Sequence, residues 1–111
     1  MGFVDRKCKW PCDPDIPPFS PDEARALIAQ ECPSWELHGD GKKLIKHFDV
    51  ADFSAARQLA NKVAEVGEVE GHFPDIAFGW QYVNLTIYTH VVGGVCENDF
   101  ILATKIDRVT G

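Results

Sequence analysis

Two histidines and two carboxylates carry the chemistry that this 111-residue chain could perform: Glu68, His72, His90 and Asp99. Imidazole gives or takes a proton near neutral pH because its unperturbed pKa is about 6.5, and a positioned acid or base typically contributes roughly a hundred- to ten-thousand-fold to a rate. Glu68 precedes His72 by four residues. A helix persisting that far would set both on one face, with the carboxylate orienting the ring or favouring its charged form. Taken alone, such a spacing is more often an exposed surface pair. His90 ends an alternating run and, by itself, reads as an ordinary surface histidine. Asp99 falls three residues after Cys96, where an acid at a helix start satisfies free amides and the helix dipole, a role compatible with catalysis. Cys96 takes the capping position, so its thiol is expected to be somewhat acidic yet structural, since nothing nearby resembles the base of a cysteine nucleophile.

These residues need elements to hold them. Residues 1–19 contain Pro11, Pro14, Pro17 and Pro18, which disfavour helix and remove sheet donors, and read as an extended arm. Ser20, Pro21 and Glu23 form a helix start with hydroxyl cap, N1 proline and capping-box acid. That helix runs to about Glu31, before Pro33, with Ala24, Leu27, Ile28 and Cys32 on one face. Trp35–Leu37 and Leu44–Phe48 flank a glycine-bearing connection and read as a hairpin, with Leu44, Lys46 and Phe48 on one side and Ile45 and His47 on the other. Asp49–Ala51 leads into a longer helix whose stripe of Phe53, Ala56, Ala60 and Val63 is lost by Gly67–Gly71. From Ile76 to His90 two strands are interrupted near Gly79–Gln81, with Val83, Leu85 and Ile87 toward helices and Tyr82, Asn84, Thr86, Tyr88 and His90 opposite. Gly93 and Gly94 make a turn, and a final helix places Leu102, Ile106 and Val109 on one face. The predicted fold is α+β, a four-stranded mainly antiparallel sheet with helices on one face in the order αββαββα, within a single domain over residues 20–111.

Composition narrows the function classes. Eleven Lys and Arg against 17 Asp and Glu give a net charge of -6, which repels a phosphate backbone and argues against nucleic-acid binding. No apolar run reaches membrane-spanning length and the N-terminus lacks the apolar core of a signal peptide, so a soluble cytoplasmic protein is expected. Cys8, Cys12, Cys32 and Cys96 are then expected as free thiols. Cys8 and Cys12 would supply only half of a zinc site, and no second pair follows, so no metal is expected.

The intervals between Glu68, His72, Pro74, Trp80, His90 and Asp99 resemble the signature of the pterin-4a-carbinolamine dehydratase family, and the resemblance runs from about Ser20 to Val109. It implies dehydration of 4a-hydroxytetrahydrobiopterin to quinonoid dihydropterin in tetrahydrobiopterin recycling, after aromatic amino acid hydroxylases, with no metal or organic cofactor. It also implies a homotetramer, with self-association through strands or helices. Expelling the 4a-hydroxyl needs an acid and the ring must lose a proton to a base, so His72 and His90 are expected to divide these roles, supported by Glu68 and Asp99. Phe73, Pro74 and Trp80 are expected against the pterin, although Pro74 also reads as a turn residue and an aromatic such as Trp80 is more often packing. Phe73 stands where the family places a second His or Asn. Its ring offers no hydrogen bond or proton, so that contribution is missing, supplied elsewhere or dispensable. The second expectation is therefore a weakly catalytic or non-catalytic relative acting through a protein partner, as family members do in transcription-factor dimerisation or carbon-fixation assembly.

Overall fold

The computed structural model describes Phe3 and residues 17–38, 41–89 and 93–110. Its elements are α1 (Pro21–Glu31), β1 (Glu36–His38), β2 (Lys43–Asp49), α2 (Phe53–Glu70), β3 (Asp75–Gly79), β4 (Tyr82–Ile87) and α3 (Glu97–Thr110). The strands form one antiparallel sheet in the order β1-β2-β4-β3. This is the predicted α+β order.

Local chemistry sets the boundaries. Ser20 Oγ accepts from the Glu23 amide at 3.1 Å and Glu23 Oε1 accepts from the Ser20 amide at 2.9 Å, closing the predicted capping box behind Pro21. That reciprocal bond holds the Glu23 carboxyl below its ordinary pKa. Asp52 caps α2 by accepting from the Ala55 amide at 2.8 Å.

Strand alternation divides the sheet. Leu44 on β2 and Val83, Leu85 and Ile87 on β4 are fully or almost fully buried beneath the helices, whereas His47, Tyr82 and Asn84 are exposed on the other face. The core is completed by Ala56 and Val63 from α2 and by Phe100, Ile101, Leu102 and Ile106 from α3. Phe100 anchors it, with Phe3 stacked at 5.7 Å and Phe19 edge-on at 5.6 Å between ring centroids. Truncating so buried a phenyl ring to Ala costs about 3–5 kcal/mol.

The α2 helix ends within the expected Gly67–Gly71 stretch, closing at Glu70 with Gly71 as its cap and Gly67 buried as a close-approach position. Three local expectations are corrected. On α3, Leu102 and Ile106 are buried but Val109 is 42% exposed, because the buried part of this helix is its first turns, where residues 98–104 are all enclosed. Phe3 does not extend away with an arm. It joins the core, and its amide donates to Glu31 Oε1 at 2.8 Å. The Cys96 thiol is not acidified, since burial, followed by the nearby Asp99 charge, pushes it up. The rest of residues 1–16, including Cys8 and Cys12, lies outside the described residues, while Cys32 and Cys96 are free thiols as expected.

Candidate active site

The C-terminal end of α2 delivers the first catalytic candidate. Gly71 caps this helix at φ +70°, a left-handed conformation that a side chain would strain, and the His72 amide turns back to donate to the Gly67 carbonyl at 3.2 Å. The Pro74 ring and the His72 carbonyl then crowd Gly67 so closely that a Cβ there would lie 3.1 Å from each. His72 is thereby folded inward, and its residue is only 5% exposed.

Asp99 meets it from the first turn of α3. His72 Nε2 lies 2.5 Å from Asp99 Oδ1, a pairing across 27 residues of sequence in which the Asp99 side chain has no exposure. The same carboxylate accepts from the Cys96 amide at 2.8 Å, so Asp99 also performs the helix-start role that its spacing suggested. A third partner is Thr89, just beyond β4, whose hydroxyl is 2.9 Å from both carboxylate oxygens. With the backbone amide and the Thr89 hydroxyl donating to one carboxylate, the ring nitrogen facing it carries a proton, which fixes the orientation of His72. Such a ring can pass protons while staying in register.

Glu68 does not orient His72. It is exposed on α2 and makes no hydrogen bond or ion pair among the described residues, because the helix ends at Glu70 and the Gly71 turn carries His72 toward α3 instead. The buried acid of this segment is Glu70, whose Oε2 accepts from Lys105 Nζ at 2.8 Å and ties α2 to α3. Its neighbours Glu65 and Glu68 in sequence gave no signal to separate it from a solvated run. Thr89 was likewise missed, since a threonine closing an alternating strand looks like any β-branched residue.

The remaining candidates divide by position. Phe73 is 66% exposed beside His72, with its ring 3.4 Å from where a Gly67 Cβ would stand, and Pro74 is half-buried against the same glycine. Trp80 is exposed in the turn joining β3 to β4. The five residues of β3 separate it from the His72 segment, about 17 Å at roughly 3.3 Å per residue, so one protomer does not bring the two together. His90 lies outside the described residues. Among the described residues no group of three or more His, Cys, Asp or Glu side chains could hold a metal ion, and no helix is long and apolar enough to cross a membrane.

Comparison with known proteins gives this geometry a family. A protein from Methylococcus capsulatus named "Putative pterin-4-alpha-carbinolamine dehydratase" is 42% identical over 99 residues, covering 89% of this chain and 86% of its own. A protein of the same name from Paracoccus denitrificans is 43% identical over 95 residues, covering 86% of this chain and 88% of its own. Among solved structures, a transcriptional coactivator/pterin dehydratase from Brucella melitensis superposes with a TM-score of 0.75 at 23% identity, covering 85% of this chain and 99% of that one. A pterin dehydratase-like protein identified as a RuBisCO assembly factor in the alpha-carboxysome gives a TM-score of 0.59 at 29% identity, covering 70% of this chain and 90% of its own. The family model for pterin 4 alpha carbinolamine dehydratase matches residues 17–109, and the chain belongs to that family.

Proposed function

We propose that this protein dehydrates 4a-hydroxytetrahydrobiopterin to quinonoid dihydropterin and water, a cytoplasmic step in tetrahydrobiopterin recycling that follows aromatic amino acid hydroxylation. The observation that carries the reading is the buried His72 and Asp99 pair in a chain of this family. The C4a–O bond breaks as an acid protonates the departing hydroxyl, and a ring N–H gives its proton to a base while its electrons form the new C=N bond. His72 and His90 divide these two transfers, and Asp99 holds the His72 ring through Nε2. Phe73 and Pro74, adjoining His72, contact the pterin. Glu68 acts on the substrate directly rather than through His72, and unchanged turnover in Glu68→Ala would remove it from the site. Neither step calls for a metal or an organic cofactor.

Self-association belongs to the same reading. Val69 (81% exposed) and Val109 line a groove of about 490 Å³ between α2 and α3 with Lys62, Lys105 and Arg108, a surface suited to helix pairing in a homotetramer. Trp80 reaches a His72 site only from a second copy. Light scattering showing monomer alone at micromolar concentration would end this part of the proposal.

The second reading is a protein-binding or assembly role with weak or no catalysis. Phe73 favours it, because an exposed phenyl ring offers a docking contact and no proton. Stopped-flow absorbance of 4a-hydroxytetrahydropterin decay separates the two. Acceleration by the protein that disappears in a His72→Ala, His90→Ala double variant supports the dehydratase; decay no faster than buffer transfers the weight to the binding role.

A further inference from the structure

Asp99 is held by more than its helix. Its carboxylate meets the Thr89 hydroxyl at 2.9 Å, and Thr89 Oγ1 in turn lies 3.4 Å from Cys96 Sγ. Thr89 has one hydroxyl proton and the carboxylate can only accept, so the Thr89 O–H donates to Asp99 and the buried Cys96 S–H donates to the Thr89 oxygen. Thr89 is itself pinned: its amide donates to the Gly94 carbonyl at 3.1 Å and its carbonyl accepts from the Gly93 amide at 3.2 Å. A β-branched side chain on a fixed backbone has few rotamers, and at 4% exposure water does not compete for its hydroxyl.

We propose that Thr89 is a positioning residue whose hydroxyl, oriented by the Cys96 thiol, locks the Asp99 carboxylate in the rotamer that meets His72 Nε2. The Cys96 S–H donates to Thr89 and the Thr89 O–H to the accepting Asp99 carboxylate, with His72 Nε2–H donating to it from the opposite side, and no proton is transferred. The kinetic part of this inference rests on the dehydratase reading; the geometric part does not.

The test compares Thr89→Val, which keeps the shape and removes the hydroxyl, with Thr89→Ser, which restores it. In pterin decay, Thr89→Val lowers kcat about tenfold with KM within about twofold, the size expected on losing one hydrogen bond to a charged group, and Thr89→Ser recovers most of the rate. By proton NMR, the low-field His72 Nε2–H resonance shifts and exchanges faster with solvent in Thr89→Val, and returns in Thr89→Ser. In the wild type, which needs no variant to fold, the Thr89 hydroxyl gives a slowly exchanging resonance. Wild-type kcat and an unmoved His72 resonance in Thr89→Val, a Thr89→Ser protein as impaired as Thr89→Val, or a rapidly exchanging hydroxyl in the wild type overturns the proposal. If the wild type fails to accelerate pterin decay, the dehydratase reading falls while the NMR comparison still decides Thr89.

Discussion

Replacing Asp99 by Asn separates the placement of a proton from the packing around it. In the folded chain three groups converge on the Asp99 carboxylate: the Cys96 amide at 2.8 Å, the Thr89 hydroxyl at 2.9 Å and His72 Nε2 at 2.5 Å. The Cys96 N–H cannot become an acceptor, so in Asp99→Asn the side-chain oxygen must stay there, which turns the new NH2 group toward His72. His72 then has to present a lone pair at Nε2 and carry its proton on Nδ1. Exchanging charge-assisted bonds for neutral ones costs about 1–2 kcal/mol of stability, since the former contribute roughly 1.5–3 kcal/mol and the latter about 1. The inverted ring removes general acid or base help, so kcat falls on the order of a hundred- to ten-thousand-fold, about 3–5 kcal/mol in the barrier. Asp99→Ala is the poorer probe because it orphans buried donors at about 1–3 kcal/mol each, a large share of a domain stability of roughly 5–15 kcal/mol. The assay is stopped-flow pterin decay for Asp99→Asn, with urea unfolding and the ring nitrogen spectrum of His72 measured alongside. A folded variant with its tautomer inverted and turnover within twofold of wild type would refute the role given to the Nε2 proton; an unchanged tautomer would refute the geometric argument itself.

Gly67→Ala sets a Cβ 3.1 Å from both the His72 carbonyl and Pro74 Cδ, so it should destabilise the fold by about 1–3 kcal/mol in urea unfolding and slow turnover by displacing His72. His47, held by Asn84 and then Asp49, should titrate above the ordinary histidine value by NMR, and Asn84→Ala should lower its midpoint. Because the folded value is the raised one, its contribution to stability is complete below the ordinary histidine pKa and is lost as pH climbs through the folded value. Cys32, with its thiol pushed up to about 12 chiefly by burial and then by Asp107, should resist iodoacetamide at pH 8 in the native protein and label promptly in urea.

Most of the fold was legible because it is written in local patterns. Ser20 and Glu23 announce the capping box within four residues, and the alternation of Val83, Leu85 and Ile87 assigns the covered face of β4 without any knowledge of its partners. What failed depended on tertiary contact. Gly67 has no side chain to announce its burial, and its role shows only once Pro74 and the His72 carbonyl are packed against its empty side. Glu68 looked like the acid for His72 because helical spacing is a local rule, yet Gly71 ends the helix and a carboxylate 27 residues away takes the place. Val109 keeps helical register with Leu102 and Ile106, but how far burial extends along α3 is set by what packs on it, with Phe3 against Phe100 near its start and Val109 left on the rim of the α2–α3 groove, not by its own periodicity.

The site is a junction of three elements, and this bears on how Phe73 should be read. The end of α2 supplies His72, the residue beyond β4 supplies Thr89, and the first turn of α3 supplies Asp99. Asp99 also satisfies the Cys96 amide, so starting α3 and orienting His72 are one event, and a change there disturbs folding and chemistry together. Phe73 stands outside this junction, two-thirds exposed on the side of the turn that faces solvent. Its substitution for a polar residue therefore alters the surface a ligand meets and leaves the proton on His72 Nε2 where Asp99 puts it. On the dehydratase reading proposed above, Phe73 therefore acts on substrate affinity and leaves the acid–base step to the residues at the His72 and Asp99 junction.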